Sequence, residues 1–292
     1  MLNLRNLSKS FDGYKVLNKV NLEINDASIF GLVGINGSGK TTLLRSIAGI
    51  YEPEDGEIMF DGSNTFKDEH IRRDIFFISD DPYYPFASNI KTLKEFYQTF
   101  YEFDEVEFTK YLNLFKLDIN KQLTSFSKGM KRQVMILMAL SIKPKLLLLD
   151  ESFDGLDPLV RLHIKKALSD LMEDNNSIII ISSHNLKELE DICDSYGILE
   201  SGKINTYGDL IESKELINKY QLAFKEELNI DDFKDLDIIN YSKEGSIYSL
   251  VIKGNKEEVI NKLNEMNPII LDCLSINFEE LFIYSHMKEV NK

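Results

Sequence analysis

Gly34-Ile35-Asn36-Gly37-Ser38-Gly39-Lys40-Thr41-Thr42 has the spacing G-x-x-x-x-G-K-[ST] and follows an apolar run at residues 29–33. Glycines at these positions let the backbone turn so that successive N–H groups point into one concavity. A helix starting near Thr41 adds its positive N-terminal end. In such a loop Gly34, Asn36, Gly37, Ser38, Gly39 and Thr42 line a cradle for phosphate. Lys40 reaches the β- and γ-phosphates, and Thr41 offers a hydroxyl to Mg²⁺. The bland alternative is a glycine-rich strand-to-helix turn, and the flanking strand and helix argue against it.

Two later aliphatic runs have no polar alternation: residues 146–149 (LLLL) and 178–181 (IIII). Strands buried on both faces of a parallel sheet have this texture. A helix starting near Pro158 lies between them, so the alternation predicts an α/β fold with a parallel central sheet. Residues 16–24 (VLNKVNLEI) alternate apolar and polar, and with residues 57–60 and the Asp61-Gly62 turn they predict an antiparallel β addition at the start. Residues 75–78 read as a further strand. From Thr92, which has capping-box spacing to Glu95, helical periodicity runs to Ser141 and stops at Lys143-Pro144. Beyond residue 220 short strands are expected at 221–224, 238–241, 246–252 and 269–274. With helices at 257–266 and 278–287 they form a small α+β appendix. The predicted domains are therefore residues 1–220, with a helical insert at about 92–141, and residues 221–292.

The chain of 292 residues carries 48 Asp plus Glu against 34 Lys plus Arg, a formal charge of −14. That balance opposes general affinity for nucleic acid or an anionic membrane surface. Two cysteines, Cys193 and Cys273, make no disulfide framework and fit a reducing compartment. The N-terminus lacks a signal-peptide core, and the longest apolar stretch, residues 134–142, is too short to span a bilayer. A soluble, cytoplasmic chain without direct membrane insertion is expected.

The run ending in Asp150-Glu151 delivers two carboxylates to the C-terminal edge of the sheet, where α/β ligand sites lie. Asp150 would hold Mg²⁺ and Glu151 would polarise an attacking water. Alone, such a pair is usually a solvated turn. Behind a phosphate loop in the same chain it reads as catalytic.

Over residues 1–220 these motifs and those between them resemble the nucleotide-binding subunit of an ATP-binding cassette (ABC) transporter. Phe126-Ser127-Lys128-Gly129-Met130-Lys131-Arg132-Gln133 matches the family signature, usually LSGG followed by Gln or Met and basic residues. Asp154-Gly155-Leu156-Asp157 resembles the D-loop, and Ser182-Ser183-His184 the switch segment. The resemblance implies that Ser127 and Gly129 receive a γ-phosphate, that Asp157 aligns two subunits, and that His184 bonds both the γ-phosphate and Glu151. It places Phe11, with Tyr14 as a weaker candidate, against adenine. It implies ATP and Mg²⁺ as ligands, a homodimer with two sites, and a separate transmembrane permease subunit that holds the chain at the inner face of the membrane. His70, His163 and His286 carry no comparable placement.

Two departures from the pattern matter. Asp80 stands where the family has a Gln that contacts Mg²⁺ and water, and Lys128 replaces the first signature Gly. Asp80 is expected to bind Mg²⁺ directly or through water, and Lys128 to point to solvent. The cluster Asp81-Pro82-Tyr83-Tyr84-Pro85-Phe86, with the helix from Thr92, is where the family receives a permease helix. The C-terminal appendix resembles in position those of two-component exporter ATPases, which makes export the expected direction. The competing classes fit less well. A soluble ABC ATPase acting on the ribosome would usually carry two cassettes or coiled-coil insertions. A GTPase would show Asn-Lys-x-Asp, and a small-molecule kinase would lack the signature.

Overall fold

The computed structural model describes every residue except Phe86, Asp154, Asn291 and Lys292; for Thr206, Ile211 and residues 285–290 it describes the backbone alone. The chain runs β1 (Leu2–Phe11), β2 (Tyr14–Ile24), β3 (Ser28–Val33), α1 (Lys40–Ile47), β4 (Asp55–Phe60), β5 (Ser63–Asn64) and β6 (Ile75–Ile78). Then come α2 (Ile90–Tyr97), α3 (Glu105–Leu114), α4 (Lys128–Ile142), β7 (Leu146–Asp150), α5 (Pro158–Asn175), β8 (Ile178–Ser183) and α6 (Leu186–Glu190). The remainder is β9 (Ser195–Glu200), β10 (Lys203–Asp209), α7 (Leu210–Glu215), β11 (Ile217–Ala223), β12 (Ile238–Glu244), β13 (Ile247–Lys253), α8 (Lys256–Glu265), β14 (Ile270–Leu274) and α9 (Phe278–Val290).

The central sheet has the order β10-β9-β3-β8-β7-β6, and β3, β6, β7, β8 and β9 pair in parallel. Leu146–Leu149 and Ile178–Ile181 are essentially inaccessible, as the lack of alternation predicts. Register fixes where the strands end. Val33 is level with Ser183, Asp150 with Ser182, and Ile78 with Leu149. The phosphate loop, the two carboxylates, His184 and Asp80 therefore all leave one edge of the sheet within a residue or two of each other.

A second sheet, β2-β1-β4-β5, is antiparallel. Its first hairpin turns at Asp12 and Gly13, both at positive φ (50° and 80°), the backbone that a tight two-residue hairpin requires. Its apolar faces share a core with α1 and with β3, β7 and β8.

The helical insert begins earlier than the Thr92–Glu95 spacing indicates. Asn89 is the N-cap: its side chain accepts from Thr92 N (2.9 Å) while the Thr92 hydroxyl accepts from Asn89 N (3.0 Å). Threonine has replaced the usual Glu or Gln as the returning group, which hid the box. Ser127 caps α4, and Lys143, at φ 52° before Pro144, ends it.

The chain divides into two compact units, Met1–Tyr207 and Gly208–Lys292, so the division falls before the predicted residue 220. The reason is pairing: β11, which straddles residue 220, hydrogen-bonds to β13 and β14 in the second unit's antiparallel sheet, of order β12-β13-β11-β14. Tyr220, Leu222, Phe233, Tyr248, Leu250, Val259 and Leu263 fill that unit's own core. Cys193 belongs to the first unit and packs under Gly31, where a Cβ would sit 3.1 Å from its sulfur. Burial pushes this thiol far above its ordinary range, which makes it a packing group and not a nucleophile.

Candidate functional site

Positive φ at Gly37 (81°) and Gly39 (108°) lets the phosphate loop turn into α1, and a side chain at Gly34 would collide with Leu199 O at 2.6 Å. Lys40, only 6% exposed, donates to Gly34 O (2.7 Å) and lies 3.3 Å from Glu151 Oε1. Thr41 Oγ1 donates to Asp150 Oδ2 at 2.8 Å, and Ser182 Oγ donates to Asp150 Oδ1 at 2.6 Å. Both oxygens of this buried carboxylate are thus oriented by hydroxyls, one from the first turn of α1 and one from the end of β8.

Glu151 turns out of β7 at φ 47°, a left-handed conformation that a glutamate holds only when its surroundings fix it. Its N–H donates to Ser182 O (3.1 Å) and lies 3.2 Å from Ser182 Oγ. Its carboxylate spans two partners, Lys40 on Oε1 and His184 Nδ1 on Oε2 at 2.8 Å. His184 is 46% exposed, and with Nδ1 engaged by Glu151 its Nε2 is the ring's second nitrogen for a hydrogen bond.

The residues present fit a phosphate chain. Ser38 Oγ is buried and bonds to no group among the described residues, a donor left for a ligand oxygen at the floor of the loop. Among the described residues nothing lies within 4 Å of where a Cβ of Gly37 would stand, so the backbone there is open to close approach. Asn36, Gly37 and Ser38, with Tyr14, Val16 and Gly202, line a depression of about 310 Å³. Thr42, half-buried on the first turn of α1, gives its carbonyl to Ser46 Oγ (2.9 Å).

Other predicted residues are placed as follows. Phe11 is 40% exposed and packs edge-on against Tyr51 (5.3 Å between centroids), whereas Tyr14 is 73% exposed and borders the depression directly. Ser127 is exposed, and its hydroxyl accepts from Met130 N at 3.2 Å. Gly129 is buried beneath the loop that follows Glu151: a Cβ there would lie 2.5 Å from Gly155 O. Gly129→Ala must displace that backbone, and we expect a cost of about 1–3 kcal/mol, read as a drop of several degrees in melting temperature. Asp157 is exposed and caps α5 by accepting from Val160 N at 3.1 Å. Asp154 lies outside the described residues.

Lys128 departs from expectation. Its ammonium, read from the sequence as free in solvent, lies 3.2 Å from Asp80 Oδ1, the oxygen that also accepts from Arg132. The physical reason is local: an acidic loop residue faces a helix turn rich in cations, and opposite charges meet. Asp80, expected on Mg²⁺, thus has its carboxylate held by α4.

Sequence reasoning gave Ser182 no role, although it orients both Asp150 and Glu151. It also missed buried Glu188, which accepts from Ser183 Oγ (3.1 Å) and pairs with Arg161 (3.3 Å) beneath the His184 loop. Two hydroxyls ending an all-aliphatic strand were the signal for the first. Nothing in the spacing announced the second.

The ABC transporter family profile matches residues 17–154. The chain is 33% identical over 285 residues to the ABC transporter ATP-binding protein YtrB of Bacillus subtilis, covering 97% of each chain. It is 30% identical over 219 residues to the sulfate/thiosulfate import ATP-binding protein CysA of Pseudomonas syringae, covering 71% of this chain and 67% of that protein. A solved ATP-binding subunit of an ABC transporter superposes with a TM-score of 0.67 at 29% identity, over 73% of this chain and 92% of that one. A dimeric, post-hydrolysis ATP-binding cassette bound to ADP and Pi, 23% identical, shares the fold at a TM-score of 0.65 over 72% of this chain and 99% of that one. Because the likeness to YtrB runs through both units and does not stop at the phosphate loop, the chain belongs to the ATP-binding, ATP-hydrolysing subunits of ABC transporters.

Proposed function

We propose that two copies of this chain close over ATP, hydrolyse it, and so drive export through a separate membrane subunit. The observation that carries the hydrolytic reading is Glu151, fixed at positive φ with one carboxylate oxygen on Lys40 and the other on His184. A base held beside the phosphate-binding lysine is positioned to orient a water in line with the terminal phosphate. Lys40 neutralises phosphate charge, and Ser38 and the loop N–H groups bind phosphate oxygens. His184 holds Glu151 and offers its second nitrogen to the γ-phosphate. Thr41 and Asp150 are hard oxygen donors that would hold Mg²⁺, which supplies charge neutralisation between phosphates when bound. Phe11 and Tyr14 offer π-faces to adenine. Ser127, Gly129 and Asp157 stand at or beside helix N-termini, where the second copy's nucleotide would be received.

Among the described residues no helix is long and apolar enough to cross a membrane. The work is therefore delivered to a partner, which we take to be a multi-span permease that keeps this chain at the inner face of the membrane. A groove of about 470 Å³ between the turn at Ile71–Asp74 and α2 is lined by Arg72, Arg73, Phe96, Tyr97, Phe100 and Tyr101. Phe96 and Phe100 are 43% and 59% exposed, and burial pushes the Tyr97 hydroxyl up to about 12, keeping it neutral. Aromatic surface beside arginines suits an amphipathic helix of the permease. Tyr83, 84% exposed, lies in the adjoining loop, and Phe86 falls outside the described residues. We take export as the direction because the second unit occupies the sequence position of the C-terminal extension of two-component exporter ATPases, and the likeness to the import protein CysA covers 71% of this chain.

The test is affinity purification from detergent-solubilised membranes. A multi-span protein encoded beside this gene should co-elute, and Phe96→Asp with Phe100→Asp should release it while ATP turnover by the isolated subunit persists. Co-elution with ribosomes instead would overturn the membrane assignment. Cargo uptake by inside-out vesicles would support export, and uptake by right-side-out vesicles would overturn it.

A further inference from the structure

The first turn of α4 reads Lys128-Gly129-Met130-Lys131-Arg132: three cations and no acidic residue. Cations at a helix N-terminus work against the macrodipole, so this turn needs an anion from elsewhere. Asp80, just past β6, supplies it. Its Oδ1 accepts from Arg132 and lies 3.2 Å from Lys128 Nζ. Lys131 Nζ lies 5.6 Å from the ring centroid of Tyr84, four residues further along the same loop. Each cation of the turn thus takes a group on the segment 80–84. Arg132 is 2% exposed, whereas Lys128 is 64% and Asp80 50%, so the cluster has a buried root and a solvent-facing arm.

We propose that Asp80 is a positioning residue and that Asp80, Lys128 and Arg132 form an electrostatic clasp. The clasp ties the loop leaving the catalytic sheet to the helix that opens with Ser127 and Gly129. Two of the residues at which this chain departs from the family pattern thereby answer each other: the Asp that replaces Gln supplies the anion, and the Lys that replaces Gly supplies a cation. The loop carrying Tyr83 and Tyr84 moves as one body with the start of α4. Closure at one is felt at the other.

The proposal rests on the ATPase reading only for its kinetic readout. Asp80→Asn and Lys128→Met remove the charges at exposed side chains, leave the buried Arg132 in place, and close a double-mutant cycle. In the full chain without nucleotide, hydrogen exchange at the amides of residues 80, 81, 83 and 84 should rise about three- to fivefold in Asp80→Asn, less in Lys128→Met, where the Arg132 bond remains, and no further in the double than in Asp80→Asn. ATPase kcat should fall in the same order, with the double no lower than Asp80→Asn. The Mg²⁺ concentration for half-maximal rate should be the same in all four proteins. Unchanged exchange, or single effects that multiply in the double variant, would overturn the clasp. So would a Mg²⁺ midpoint that shifts in Asp80→Asn and not in Lys128→Met, since that marks Asp80 as a metal ligand. A wild-type chain that fails to hydrolyse ATP would overturn the ATPase reading and leave the exchange cycle to decide the clasp.

Discussion

Glu151→Gln is expected to lower ATP turnover on the order of 10²–10⁴-fold, the range for loss of a positioned general base, while ATP still binds. The substitution keeps the side chain's length and its hydrogen-bonding to His184 but removes the charge that orients and deprotonates water. The Lys40 ammonium, 3.3 Å from Oε1 in the native chain, loses a competing anion and becomes more available to phosphate. Affinity for ATP should therefore hold or rise as kcat collapses. Steady-state turnover alongside equilibrium binding separates the two. Turnover within a few-fold of the native rate would remove Glu151 from the chemistry.

Lys40→Ala acts on the other side of the same pair. Removing a nearly buried ammonium leaves Glu151 with His184 alone and strips the loop of its one full positive charge toward phosphate. Truncating one member of a buried charge pair typically costs about 2–5 kcal/mol, equivalent to roughly 30- to several-thousand-fold in affinity. Fluorescent-nucleotide titration should show that loss in Kd, with the protein still folded by circular dichroism. Unchanged affinity would mean that phosphate is not held at Gly34–Thr42.

The sheet was legible because its strands declare themselves by composition: LLLL and IIII admit no solvent-facing side, and their polar ends mark the edge where Asp150, Glu151 and His184 emerge. The phosphate loop was legible because glycine takes most readily the backbone seen at Gly37 and Gly39. What escaped depended on contacts between distant segments. Asn89 as the helix cap was masked by the threonine that completes its box. The domain division at Tyr207 was invisible because β11 looks locally like any half-buried strand, and its allegiance is set by pairing with β13 and β14. Lys128 read as a solvated charge until the fold brought Asp80 beside it. Glu188, buried under the switch loop, looks in sequence like one more surface acid of a helix.

Sedimentation of the Glu151→Gln chain with MgATP bears most directly on whether two copies share each triphosphate. Hydrolysis is expected to be slow in this variant, so a pair closed on ATP should persist long enough to sediment. The expected result is a concentration-dependent shift from monomer to dimer with ATP, none with ADP, and reversal on removing the nucleotide. A protein that binds ATP yet stays monomeric up to the highest attainable concentration would contradict it.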